Sequence, residues 1–506
     1  MELELKRQPI AACEPLLNAV AEHSIECDVL LPDHCPDIVK LICCRIDSVI
    51  TGCAAHKSVF TVEGMATARI CYIGEIGGVR KTEYKLPFSK SFDMRGEARR
   101  PVWSVETGQS KTNCRAVSKR RIEISGAITI TARLFDTASQ QAVCEAEGMG
   151  VRLRCCQTPA ADLTGQILRQ FSVTEILNPM PGMPPAAEVV MADCRIMAQD
   201  SRITASRILI KGDMAVHLLY KDDSDPPKLL TADYTLPLSQ VIDGDDLQED
   251  MLCEAAVKCV SCECVPEEFG DDGQLRLEVR AAADIKLFRP ITLNGAVDSY
   301  STLYPTKNTL SQIKTLKSCT PFSQKATVKT RAEMPQGMTM MQDCWAQVIE
   351  RTTKMTDDGA SMALKLLFTA IAATEESEAQ PIEHIAEAQV MINGVSPQSE
   401  LFGSVNVVSV SGMMEQGGIT LECELLINGM AMEFELRDFL TELLVDTDSP
   451  RAADPLLGLM VYYAAAGEDI WDIAKRFGSL PEQIMADNDL SSQLLESDMP
   501  LMIPTV

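Results

Sequence analysis

Arg121-Ile122-Glu123-Ile124-Ser125-Gly126-Ala127-Ile128-Thr129-Ile130 alternates apolar and polar side chains, the period of a strand that buries one face. Short runs of this kind recur through residues 30–440. Between them stand Gly77-Gly78, Asp272-Gly273, Asp358-Gly359 and Gly417-Gly418, each with the glycine that hairpin turns of positive φ require. The bulk of the chain is therefore predicted to be antiparallel sheet. Asn178-Pro179-Met180-Pro181-Gly182-Met183-Pro184-Pro185 lacks an amide donor at four of its eight positions. Such a segment cannot sit inside a ladder and reads as a linker.

Working outward, the chain repeats itself. One copy contains Cys44-Arg45-Ile46, Gly64, Tyr72, and Tyr84 with Pro87 three residues on. The other contains Cys194-Arg195-Ile196, Gly212, Tyr220, and Tyr234 with Pro237 three residues on. Gly to Tyr is eight residues in both, and each copy runs on to a similar strand, Arg121–Ile124 and Arg276–Val279. Met362–Ala373 and Ile419–Gly429 also read as strands, so a third copy without the Gly/Tyr/Pro marks is expected. The predicted division is an N-terminal segment 1–29, β units at 30–177, 188–315 and 316–440, linkers at 178–187 and 441–458, and a different module at 459–506. At roughly 150 residues per domain, 506 residues agree with three or four units.

That last module changes period. Val461-Tyr462-Tyr463 reads as a strand and Gly467 as a turn. Asp469 is placed to cap a helix whose Ile470, Ile473, Ala474 and Phe477 share one face, and Gly478 to end it. Ser479 and Glu482 have capping-box spacing around Pro481, which predicts a second helix ending near Asn488. Leu501–Pro504 then closes a βααβ unit. The fold class expected is mainly β: tandem antiparallel β domains followed by a small βααβ domain.

Tyr463, Gly467, Trp471, Ile473, Ala474, Phe477, Gly478, Asn488 and the Leu501/Ile503/Pro504 ending resemble the LysM family, over about a tenth of the chain. The resemblance implies glycan binding in a groove between two loops, with Gly467, Glu468, Asp469, Ile470, Asn488, Asp498 and Met499 as the candidate site. This copy departs from the family in both loops: Gly467-Glu468-Asp469 stands for Gly-Asp-Thr, and Asp498 for a glycine. The module carries eight Asp/Glu against Lys475 and Arg476, which disfavours an anionic wall. The β units, with Tyr84…Pro87-Phe88-Ser89 and Tyr234…Pro237-Leu238-Ser239, look like the SPOCS domain of endospore formers. Several such units followed by one LysM module is similar to the SipL-type spore morphogenetic proteins. That resemblance implies a mother-cell cytosolic protein at the forespore surface, whose LysM module contacts a coat-basement ATPase.

Composition narrows the alternatives. A formal net charge of −26 opposes nucleic acid or anionic lipid as the main partner. The start Met-Glu-Leu-Glu-Leu-Lys-Arg has no apolar h-region, and neither Met362–Ala373 nor Leu456–Gly467 approaches the roughly 20 residues of a spanning helix. The 19 cysteines, an odd number, predict free thiols in a reducing cytoplasm. Cys259, Cys262 and Cys264 come closest to metal spacing but lack a fourth ligand, and Cys262 and Cys264 read as packing on one strand face. Cys43-Cys44 and Cys155-Cys156 point to opposite strand faces, which also favours packing. His23, His34, His56, His217 and His384 are far apart and fall in no catalytic motif. Asp222-Asp223-Ser224-Asp225 lacks the glycine and glutamate of a calcium loop and reads as a hairpin, and Asp243–Asp250 as a solvated loop. No phosphate loop or dinucleotide fingerprint occurs. Trp471 reads as core rather than as a sugar platform.

The sequence thus predicts a non-enzymatic scaffold or adaptor, without catalytic residue, metal or cofactor, that binds a spore-coat morphogenetic protein. The alternative is a cell-wall protein that binds peptidoglycan or another N-acetylglucosamine glycan. A hydrolase hidden in the β region is the third.

Overall fold

The computed structural model describes residues 3–75, 79–109, 112–225, 227–267, 273–374, 379–415, 418–451 and 459–504. Gly77-Gly78, Asp272 and Gly417 lie outside the described residues. Of the marked turns, Gly359 opens a strand at φ +143° and Gly273 has φ +82°.

Strands follow the alternating pattern throughout. The first unit holds β1 (Glu4–Ile10), β2 (Glu14–Leu30), β3 (Ile38–His56), β4 (Val59–Gly74), β5 (Val79–Asp93), β6 (Pro101–Gln109), β7 (Asn113–Ser118), β8 (Arg121–Asp136) and β9 (Gln140–Glu147). The second holds β10 (Val151–Leu177), β11 (Glu188–Thr204), β12 (Arg207–Lys221), β13 (Leu229–Asp243), β14 (Leu252–Pro266) and β15 (Leu275–Ser301). The third holds β16 (Thr306–Glu333), β17 (Met340–Thr356), β18 (Gly359–Ala373), β19 (Ala379–Asn393), β20 (Ser399–Glu415) and β21 (Gly418–Val445). Each unit packs a three-stranded meander (β3–β4–β5, β11–β12–β13, β17–β18–β19) against a layer in which its first long strand pairs with its last. Ile122, Ile124, Ile128 and Ile130 of the stretch quoted first are fully buried between the layers, and each such side chain contributes about 1.5–3 kcal/mol by leaving water.

The duplication holds in register. Gly64 lies opposite Ile50 and Phe88, and Gly212 opposite Ala198 and Leu238. Both glycines face a β-bulge, at Ile50/Gly52 and Ala198/Asp200. Tyr72 and Tyr220 likewise match, opposite Leu41 and Val189. The third meander has its bulge at Val348/Glu350 opposite Leu366, with Ala372 and Glu387 where the other copies have tyrosine and proline. Cys44-Arg45-Ile46 and Cys194-Arg195-Ile196 are not equivalent, however. Ile46 lies four residues before its bulge partner and Ile196 two before its own.

Pairing also moves the unit boundaries. Val151↔Ser301 through Leu177↔Leu275 unite β10 with β15, so the proline-rich segment connects two strands of the second unit and does not separate units. For the same reason residues 14–30 belong to the first unit, 306–315 to the third, and the stretch assigned to a linker at 441–458 begins inside β21. The repeat marks lie in the meanders, and each unit's opening strand precedes them.

One position recurs at the centre. Phe135, Phe288 and Phe434 each sit opposite the residue that begins a bulge, namely Pro15, Leu163 and Leu316. All three enter one apolar cluster with Cys13, Val102 and Phe402. A second seam joins Ile42 and Cys71 to Trp345 and Ile371. The three units are therefore packed on one another, not strung apart.

All 19 cysteines are free thiols. Cys262 and Cys264 are buried in the core of the second unit beside Cys194, while Cys44 faces the first unit's core and Cys43 faces the seam. Among the described residues no three His, Cys, Asp or Glu side chains are grouped as metal ligands, and no helix is long and apolar enough to cross a membrane. Asp222–Asp225 lies in the β12–β13 connection, where Asp222 Oδ1 accepts from the Ser224 and Lys228 amides.

Candidate functional site

The C-terminal module consists of β22 (Leu459–Ala464), α1 (Ile470–Phe477), α2 (Pro481–Asp487) and β23 (Met499–Pro504). Asp469 caps α1, its Oδ1 accepting from the Trp471 amide at 2.8 Å, and Gly478 ends the helix at φ 69°. Ile470, Ile473, Ala474, Ile484, Leu501 and Ile503 form its core. The capping box expected at Ser479 is not made. Leu480 occupies the cap position, and Ser479 turns inward to donate its hydroxyl to Pro504 O at 2.6 Å.

The module is seated on the end of the second unit. Trp471 Nε1 donates to Asp298 at 2.8 Å, and Lys475 Nζ lies 2.6 Å from the same carboxylate. Arg154 reaches Asp469 Oδ2 at 2.7 Å. Tyr300 donates to Ser479 O at 2.7 Å and meets the Trp471 ring edge-on, 5.0 Å between centroids. Trp471 is thus core, as read from the sequence, but it also anchors the module to the body, a role the sequence does not signal. Burial pushes Asp298 up, yet the bonds from Lys475 and Trp471 outweigh it and hold the carboxyl below its ordinary range. Burial pushes the Tyr300 phenol up to about 12.

The two loops named in the sequence do lie together. Gly467 N donates to Leu495 O at 2.8 Å, Leu495 N to Glu468 O at 3.0 Å, and Ile470 N to Gln493 O at 2.8 Å. Gly467 is exposed at φ +88°, with no heavy atom within 4 Å of where a Cβ would stand. The carboxylates are already engaged. Glu468 accepts from the Ala465 amide (2.9 Å) and Tyr462 hydroxyl (2.9 Å), which with nearby Arg476 hold it below the usual range. Asp498 accepts from the Ala466 amide at 2.8 Å, and Asp469 serves cap and clamp together. Ile470 is fully buried, and Met499 packs on the module core. Asn488 ties α2 to β23 through Ile484 O, Met502 O and Met502 N. Of the seven residues, Gly467, Glu468, Asp469 and Asp498 therefore line the loop pair, and the other three build the fold beneath it.

An exposed face escaped the sequence reading. Leu459, Val461 and Tyr463 alternate outward from β22, with Pro504, Met502 and Pro500 opposite them on β23. Tyr463 is 80% exposed and Val461 55%. The unbroken apolar run Leu459–Ala464 was the available signal, because a strand that buries one face of a two-stranded ladder leaves every second of these side chains outside.

Residues 185–265 match the family model described as SipL, SPOCS domain, and residues 462–504 match the LysM domain. The first match covers the second unit's meander and β14, and the second covers the βααβ module. Both are non-catalytic binding domains, and together they fit a sporulation protein that carries a LysM module of the glycan-binding type. Searches of curated proteins and of solved structures give no match to the chain.

Proposed function

We propose that the protein is a non-enzymatic scaffold of endospore-envelope assembly, acting in the mother-cell cytosol at the forespore surface and engaging a spore-coat morphogenetic ATPase through its C-terminal module. The observation that carries this reading is the outer face of the β22–β23 ladder. An apolar strip of Leu459, Val461, Tyr463 and Met502 on a small acidic module is the kind of surface that marks protein contact. The loop carboxylates do not stand free for a partner's cations, because the module and Arg154 already use them, which leaves the apolar strand face as the contact surface. Peptidoglycan or chitin-like glycan is the second reading, favoured by the open backbone at Gly467.

The test is affinity capture from sporulating cells with the full chain and with a Val461→Asp/Tyr463→Asp double variant. Both side chains are exposed, so the variant should fold. Recovery of the ATPase by the wild type and its loss in the variant is expected. Equal recovery by both excludes this face.

A further inference from the structure

A cleft of about 790 Å³ opens between the second and third units, within the size range of small-molecule sites. One wall is the outward face of β11–β13, with Asp193, Arg195 and His217. The other carries Lys325 and Glu424, and Asp343 and Trp345 of β17 complete it.

At one end Arg45, Arg69 and Arg195 meet three carboxylates, Asp47, Asp193 and Glu83, the last 3.0 Å from Arg69. Arg45 and Arg69 of the first unit bond to Asp193 at 2.8 and 2.5 Å, and both also reach Asp47, at 2.9 and 3.0 Å. Asp193 and Asp47 are thereby committed. Arg195, two residues along β11, lines the cleft with no hydrogen bond or ion pair from any described residue. It lies near Cys344 and Cys423 of the third unit, where its charge works against the upward push of burial on both thiols. A guanidinium does not shed its proton, and although Asp193 and Asp47 act on this one through space, its donor fork is left open to the half-buried cleft, where an oxyanion could pair with it. Across the cleft the Lys325 ammonium also has no partner among the described residues.

The other carboxylates in the cleft each hold a partner, though the buried Asp343 Oδ2 has none among the described residues. Asp233 and Asp343 share His217 at 2.7 and 2.9 Å, Asp213 takes the Gln199 amide at 2.6 Å, and Glu424 the Ser409 hydroxyl at 3.0 Å. The presence of Asp213 and Glu424 in the lining disfavours a polyanion and restricts the guest to a compact one.

We propose that this cleft binds a small organic anion whose carboxylate or phosphate group pairs with the Arg195 fork and is met by Lys325 from the facing wall. The fork geometry of arginine suits either oxyanion.

Acetate and, separately, inorganic phosphate are titrated calorimetrically into the full chain. One-site binding of either supports the proposal, and the arm that binds identifies the group. Arg195→Gln and Lys325→Gln should each raise Kd at least tenfold, whereas Arg207→Gln, on an exposed pair with Asp243, should not. In anion-free buffer Arg195→Gln should melt no lower than the wild type, since it removes an unpaired charge. If that variant fails to fold, Arg195 is structural and the proposal falls. Exposed Lys325→Gln carries the binding test in any case. Binding of neither anion, or equal binding by the variants, overturns it.

Discussion

Tyr300, at the end of β15, hands its hydroxyl to the main-chain oxygen of Ser479 at 2.7 Å while its ring meets Trp471 edge-on. One side chain of the β body thus holds both ends of the first helix of the C-terminal module. Asp298, two residues earlier, takes the Trp471 indole and the Lys475 ammonium. The module is presented in a fixed attitude, with its apolar strand face left free.

Removing that hold should loosen the module and spare the body. Tyr300→Phe leaves the buried Ser479 oxygen without its donor, a cost of about 1–3 kcal/mol. Tyr300→Ala also empties the aromatic contact, for about 3–5 kcal/mol. Hydrogen exchange across residues 470–487 should quicken in that order while β3–β5 stays protected. Unchanged exchange in Tyr300→Ala would mean that the module does not depend on this seat.

His217 joins the second and third units through Asp233 and Asp343. Burial alone would push its imidazole down, but the two carboxylates outweigh burial and raise it to about 10. Because the folded value lies above the ordinary one near 6.5, the stabilisation is complete below about pH 6.5. It is lost as pH climbs through about 10. Melting curves from pH 6.5 to 10 should therefore fall more steeply for the wild type than for His217→Gln. Parallel curves would remove His217 from the seam.

Two glycines at bulges, Gly212 opposite one and Gly165 on the bulged strand of another, differ in what crowds them. A Cβ at Gly212 would stand 2.0 Å from the main-chain oxygen of Met197, which cannot turn away, whereas at Gly165 it meets nothing within 4 Å. Gly212→Ala should cost about 1–3 kcal/mol or more by overpacking, and Gly165→Ala little. Urea midpoints check this. Equal midpoints would show that the backbone yields at the bulge.

Much of this architecture is written locally and part of it is not. Period-two alternation at Arg121–Ile130 and the Gly64/Gly212 and Tyr72/Tyr220 marks are short-range signals, and they give the strands and the first two meanders. Asp469, Gly478 and the Ile470/Ile473/Ala474 face do the same for the module. The opening strand of each unit escaped because β10 finds β15 about a hundred residues away, and no local pattern states that pairing. Proline content at 178–185 reports a missing ladder, which a connection inside a unit satisfies as well as a linker does. The Cys-Arg-Ile match misled by two residues, a slip that preserves strand face and so leaves the pattern intact. The candidate loops were legible as neighbours, but the partners of Glu468, Asp469 and Asp498 were not, since Arg154 lies 315 positions from Asp469.

On the function proposed above, the LysM module recognises protein in place of sugar. The most direct test is calorimetric titration of a chitooligosaccharide into the full chain. No measurable heat of binding is expected, whereas saturable binding in the micromolar range would make the protein a glycan binder and rule out the proposed function.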